Sequence, residues 1–569
     1  MAQRLTCDLA ESLTGDPAAA DRLAELERNG VVVAEADDTT WYRYHPLFGT
    51  LLGARLRHCH RDLADELHRR AGGWFLAHGM SREAEAQARV ARDWAEVGRL
   101  AGRRWVDDAA AGADAVADQV ATVPPPALMA NAGLALLAAV AACRRADRGA
   151  ADAYRAVVDD LTGDGSGPDA GPPPEARALL DIDYARAFGS DDRGRRAVAA
   201  LSGSPGDVGA AERRPAGLAQ VGALGAVALD LDDGLTESAR KAAATLAFPA
   251  GASRLAGEAE ALLAVATAVE GQLAAAVDHA ESVLAAGPSG RPVARHAASL
   301  ALAVAHASAG EPRLALDALA GVEVVDGADG WLRRLDAALR MALRTAGTAV
   351  VERCPDGTPH PLVDRALVAV GVLEAVDPGG RVIPLGGPLE RRVLRARHAW
   401  HERDAREVLE AAAADPDTGG HPRTGIERAA LVALAADQHG DHERTVRELR
   451  AALSAGDATR IRAPLRLLAA DLAAPLTTHH EALAPHQALA LDLVDRARVS
   501  PAPPFVEPLT EHEVMVLRHL PSLMSNQEIA DGMHVSVNTV KTHLKALYRK
   551  LGVTSRREAV QQGRALELL

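Results

Sequence analysis

The chain has 569 residues, 48% of them hydrophobic but only 3% aromatic, and carries a net charge of −14. That length holds several domains' worth of core, and an interior rich in Ala and Leu favours closely packed helices over strands. The acidic balance argues against nonspecific nucleic-acid binding by the whole molecule, and no stretch reaches the roughly 18 apolar residues of a membrane span. Four scattered cysteines form no CxxC or Cys/His cluster, which suits a reducing compartment and offers neither a disulfide framework nor a zinc site. The opening Met-Ala-Gln-Arg-Leu-Thr-Cys-Asp lacks the apolar core of a signal peptide, so a soluble, cytoplasmic, all-α protein is expected.

Residues 16–29 read as a helix, with Asp16 as cap, Pro17 at the first position and Asn29-Gly30 as the stop. The β-prone runs 31–34 and 41–44 flank a polar 35–40, a hairpin signal, and His45-Pro46 leads into a further helix over 47–57. Helix, hairpin, helix is the outline of a winged helix. The stretch WYRYHPLFGTLLGARL is similar to the winged-helix segment that follows the nucleotide-binding domain in MalT-like regulators of the STAND ATPase class. The resemblance implies that His45 stands where such regulators sense nucleotide phosphates; the plain alternative is a local hydrogen bond at a helix N-terminus. Against that family the chain is expected to start after the nucleotide-binding domain. It contains no G-x-x-x-x-G-K-[ST], so the backbone cradle and lysine that hold a phosphate are missing, and neither ATP hydrolysis nor any cofactor is expected.

From about residue 60 to 495 the pattern is helical pairs, interrupted by a Gly- and Pro-rich linker at 163–174 and by a loop at 378–388. One pair runs 255–270, turns at Gly271-Gln272 and returns over 273–286; the next runs 294–309, turns at Gly310-Glu311-Pro312 and returns over 313–319. Gly271 and Gly310 are 39 residues apart, and a looser copy turns at His439-Gly440-Asp441 between 427–438 and 442–454. Helix pairs at that period predict a TPR-like α-solenoid. The predicted domains are a partial winged-helix segment (1–58), the helical array (59–497), a Pro-rich linker (498–508) and a C-terminal module (509–569).

The module is the most informative stretch. Thr510 and Glu513 form a capping box before Val514 and Leu517; Ser525 or Asn526 starts a second helix; Ser536 caps a third, which Gly552 ends. On the third helix Val540, Leu544, Leu547 and Leu551 make a core stripe, while Lys541, Lys545 and Arg549 make a second stripe facing outward. Six basic residues and no acid lie between Asp531 and Glu558. Residues 509–569 hold eight Lys/Arg against six Asp/Glu, a balance of +2 that leaves −16 on the rest. Basic charge on one face of the second of two helices joined by a short turn suits major-groove docking, although most charge runs are simply solvated faces.

The order LT-x-x-E, SN-x-E-IA, TVK-x-H and KLGV over 509 to about 565 closely resembles the LuxR-type helix-turn-helix domain, with Leu523 where that family commonly has glycine. By position in the family motif, Lys541, Thr542 and Lys545 would reach base edges, and Asn538, Thr539, Arg549 and Lys550 would contact phosphates; the plain alternative for Lys550 is a local carboxylate. Backbone at Thr510 or Ser525 would add phosphate contacts. Ser555 would cap a fourth helix carrying Ala559 and Val560, which in this family pairs two modules on a two-fold site, implying a homodimer on double-stranded DNA. The order of winged helix, array and C-terminal module also resembles MalT-like regulators, where the array serves inducer or protein contacts and self-association.

The cluster His479-His480-Glu481 with His486 lacks H-E-x-x-H spacing and sits beside a loop, so no metal is expected there. No G-x-S-x-G elbow occurs, and the acidic pairs need only solvent. The leading expectation is a DNA-binding transcription regulator. The competing readings are a solenoid scaffold for protein partners with only weak DNA binding, and a fragment of an ATP-dependent STAND regulator.

Overall fold

The computed structural model describes residues 4–34, 41–44, 46–111, 120–162, 171–202, 217–246, 254–287, 291–320, 329–344, 351–352, 360–376, 382–413, 420–499, 511–522, 524–533, 535–551, 553 and 555–565. The features expected at His45, 35–40, 163–170, 500–510 (with Thr510), Leu523 and Gly552 lie outside these residues. The chain divides into two compact units, residues 1–222 and 223–569.

In the first unit, β1 (Arg4–Leu5), β2 (Val32–Ala34) and β3 (Tyr42–Tyr44) form an antiparallel sheet in the order β1-β3-β2. Helices Cys7–Thr14 and Ala19–Arg28 connect β1 to β2, and Pro46–Cys59 follows β3. The sequence reading finds the hairpin but neither β1 nor the eight-residue helix after it, which Thr6 caps by accepting the Leu9 N–H at 3.1 Å. The next helix begins at Ala19 rather than Pro17, because Asp16 Oδ1 accepts the Ala18 N–H at 3.0 Å in a turn ahead of it. Leu9, Leu23, Val32, Phe75 and Leu100 share one buried cluster, so packing runs from the sheet into helices Arg61–Ala77 and Trp94–Ala110.

Small residues set the spacing further on. Residues 132–143 of helix Ala132–Arg144 are all buried, as expected for a helix apolar on every face. It packs on Trp94–Ala110 closely enough that a Cβ on Gly133 would lie 2.5 Å from the Gly98 carbonyl oxygen.

In the second unit the three predicted pairs appear as Arg254–Val269 with Leu273–Ala285, Pro292–Ala309 with Pro312–Ala320, and Pro422–Gln438 with His442–Thr459. Arg254–Val269 packs on its own partner and on Pro292–Ala309, the first helix of the next pair. One expectation is corrected here. The 378–388 stretch is not all loop: Val382–Pro384 is β6, paired antiparallel with β5 (Glu374–Val376), which pairs in parallel with β4 (Val351–Glu352). The surrounding Gly and Pro read as punctuation, but three residues suffice for a short strand once Leu385 donates its N–H to the Leu373 carbonyl at 2.8 Å. Among the described residues the chain is therefore mostly helical with two small sheets rather than all-α. Among the described residues, no helix is long and apolar enough to cross a membrane.

Candidate nucleic-acid interface

The C-terminal domain consists of helices Glu511–His519, Asn526–Gly532, Val537–Leu551 and Arg556–Ala565. Serines start three of them. Ser525 Oγ accepts the Glu528 N–H at 3.3 Å while Glu528 Oε2 accepts the Ser525 N–H at 2.6 Å, a reciprocal capping box. The bond from the Ser525 backbone, then its hydroxyl, holds the Glu528 carboxyl below the usual carboxylate range. Ser536 Oγ accepts the Thr539 N–H at 3.1 Å and Ser555 Oγ accepts the Glu558 N–H at 3.3 Å. The turn between the second and third helices is short, closed by the Val535 N–H on the Ala530 carbonyl at 3.0 Å.

These helices share one core: Val516, Leu517, Leu520, Ile529, Ala530, Val540, Leu544, Leu547 and Ala559, with Val560 packed against it. Val540, Leu544 and Leu547 fill it as the spacing predicts. On the first helix the buried face is Glu513, Val516 and Leu517, continued by Leu520 in the turn just after it, while Val514 is only half-buried. With Val540 and Leu544 inward, the residue after each must point about 100° away, and Lys541 and Lys545 are both exposed.

Of the other predicted contacts, Thr542 is exposed and Thr539 half-buried, its hydroxyl 2.7 Å from Ser536 Oγ. Thr539 is thus part of the helix cap as well as a residue near the domain surface. Asn538, Arg549 and Lys550 lie on the helix Val537–Leu551, but their side chains, like that of Leu551, are outside the described set.

Arg556, one of the six basic residues between Asp531 and Glu558, is bonded within the domain. Its guanidinium reaches the end of the first helix and the turn after it, with Nε donating to the Leu520 carbonyl at 3.0 Å and Nη1 to the Met524 carbonyl at 2.7 Å. Nη2 donates to the Ser522 carbonyl at 2.6 Å and to that of His519 at 3.4 Å. One cation so satisfies carbonyls that the helix C-terminus leaves orphaned. Its position just after the Ser555 cap is the only local hint; the partners lie more than 30 residues back. Arg557 is exposed.

Comparison with known proteins places likeness at both ends of the chain. Residues 1–65 match the family described as "MalT winged helix domain", and residues 507–562 match "Bacterial regulatory proteins, luxR family". The HTH-type transcriptional regulators MalT of Yersinia pestis (strain Pestoides F) and Yersinia pseudotuberculosis serotype O:3 (strain YPIII) are each 49% identical over 59 residues, 10% of this chain and 6% of the relative. That of Serratia proteamaculans (strain 568) is 42% identical over 78 residues, 13% of this chain and 9% of the relative. The matched part thus spans less than a tenth of those relatives' length, and the likeness is one of domains. No solved structure matches the chain.

Proposed function

We propose that this chain is a sequence-specific DNA-binding transcription regulator, with helix Val537–Leu551 in the major groove. The observation that carries the reading is the division of that helix: Val540, Leu544 and Leu547 are buried while Lys541 and Lys545 are exposed one residue further on, in a domain that matches the luxR family. Long donors near the front of such a helix suit base edges, and Lys541, Thr542 and Lys545 are assigned that task. Asn538, Thr539, Arg549 and Lys550 are assigned to phosphates. The capped N-terminus of Asn526–Gly532 adds backbone donors of the kind phosphates favour.

The finer assignments rest on the same reading. Helix Arg556–Ala565 pairs two copies on a two-fold site, and the helical array is a TPR-like surface for an effector, a protein partner or self-association. The recurrent helix pairs support the latter, because stacked pairs expose extended faces.

A footprint and gel shift on DNA upstream of the chain's own and neighbouring genes tests the function. Sequence-specific protection is expected. Lys541→Ala with Lys545→Ala should abolish it, each lysine accounting for on the order of 1–3 kcal/mol, while far-UV circular dichroism stays unchanged because both side chains are exposed. Equal, weak binding of every DNA by the wild type at moderate salt would overturn the reading.

A further inference from the structure

Asp437, His442 and His479 come together from three helices. Asp437 lies in the last turn of Pro422–Gln438, His442 opens His442–Thr459, and His479 is the C-terminal cap of Ala469–Thr478. One ligand atom from each lies within 4.8 Å of the others. His479 Nε2 stands 3.6 Å from Asp437 Oδ1, and the His442 and His479 rings have their centroids 5.5 Å apart, tilted at 57°.

The separation between His479 and Asp437 is too long for a good hydrogen bond. Among the described residues His479 Nε2 is nevertheless buried and without a hydrogen-bond partner, on a side chain only 12% exposed. A buried donor or acceptor left unmade costs free energy, so a nitrogen held at this distance from a carboxylate and a second imidazole calls for something between them. The geometry points to a divalent transition-metal ion of the zinc class, bound by His442, His479 and Asp437. Metal–ligand bonds of about 2.0–2.2 Å place tetrahedral donors roughly 3.3 Å apart. The His479–Asp437 pair is already near that spacing, and side-chain rotation of the exposed His442 closes the rest.

Two imidazoles and one carboxylate select borderline ions over calcium or magnesium, which prefer all-oxygen shells. Three protein ligands leave a fourth position for water or a ligand, an open site rather than a closed structural one. Two of the ligands are set by one turn. Gly440 has φ +73°, the Asp441 N–H returns to the Ala436 carbonyl at 3.0 Å, and Asp441 Oδ1 accepts the Arg444 N–H at 3.0 Å. The ion would therefore tie helix Ala469–Thr478 to the preceding helix pair, independently of any DNA binding.

The test uses the full chain, stripped with chelator and titrated with Zn²⁺ by calorimetry and with Co²⁺ by visible absorption. One ion per chain is expected, with a tetrahedral or five-coordinate cobalt spectrum and a Zn²⁺-dependent rise in melting temperature. His442→Ala, whose side chain is exposed and whose loss leaves the core intact, should weaken binding at least about tenfold and remove the thermal shift. Asp437→Asn and His479→Ala should do the same. His480→Ala, next door but bonded to the Thr477 carbonyl, should bind as the wild type does. Absence of saturable binding would overturn the site, as would a His442→Ala variant that keeps wild-type affinity or a His480→Ala variant that loses it.

Discussion

At the scale of single residues, the buried polar groups carry the most testable chemistry. His421 precedes helix Pro422–Gln438, its Nδ1 accepting the Arg423 N–H at 3.2 Å and its Nε2 donating to the Val269 carbonyl at 3.0 Å. Burial first, then the Arg423 charge, pushes its pKa down to about 4 from 6.5. Below pH 6.5 the unfolded chain binds a proton that the folded chain refuses, so this group's stability is complete above that pH and is lost as pH falls toward 4. The shift corresponds to on the order of 3 kcal/mol. Urea unfolding between pH 7 and pH 4.5 should therefore show a steeper decline for the wild type than for His421→Asn; parallel slopes would contradict the assignment. One turn further along, Glu427 receives Arg397 through both oxygens, at 2.7 and 2.8 Å, and Arg423 at 2.9 Å. Burial alone would raise the Glu427 carboxyl, but Arg397 and Arg423 outweigh it and hold it low. These groups are also where sequence reading stops. His421 and Arg423 look like any polar residues at a helix start, and only packing reveals that Arg423 is fully buried.

At the scale of elements, one turn recurs through the helical region, with a left-handed residue at Arg92, Ala146, Gly234, Gly271, Gly310, Arg403 and Gly440. Each donates its N–H to the carbonyl three residues back, and the following residue donates to the carbonyl five back from itself, the Schellman arrangement. Four of these turns continue with an aspartate that caps the next helix: Asp93, Asp147, Asp404 and Asp441. The sequence reading finds the copies marked by Gly271, Gly310 and Gly440 because glycine announces a stop. It passes over Arg92, Ala146 and Arg403, where a side chain occupies a conformation that costs L-residues roughly 1–2 kcal/mol. Ala146→Gly should accordingly stabilise residues 1–222 by about 1 kcal/mol after the entropy of glycine is subtracted, read as a higher urea midpoint at constant slope. The opposite change at Gly310 meets both penalties: its φ is +78° and a Cβ would lie 3.2 Å from the Ala463 Cα and 2.7 Å from Arg466 Cδ. A neutral or destabilising Ala146→Gly would show that the turn is held by its neighbours rather than by its own backbone preference.

At the scale of the whole molecule, two compact units of residues 1–222 and 223–569 each carry their own core, with the acidic charge concentrated outside the C-terminal domain. Unfolding is expected to depart from two-state behaviour, so scanning calorimetry should return a van't Hoff enthalpy below the calorimetric one; equality would mean a single cooperative unit. The sequence by itself determined what depends on residues a few positions apart. Helix periodicity, serine caps, glycine stops and the inward Val540–Leu544–Leu547 stripe all express contacts within one or two turns, and spaced motifs made the C-terminal domain legible. Only the tertiary structure decided what long-range packing selects. It placed the three-residue strands β5 and β6 in a sheet, turned Arg556 onto carbonyls more than 30 residues away, and paired Arg397 with Glu427 across two helices. It also passed over the neighbouring His480 to gather His479 with Asp437 and His442. Beyond the Ser555 cap beside Arg556, these leave little local trace, because the free energy that fixes each one belongs to residues distant in the chain and adjacent only after folding.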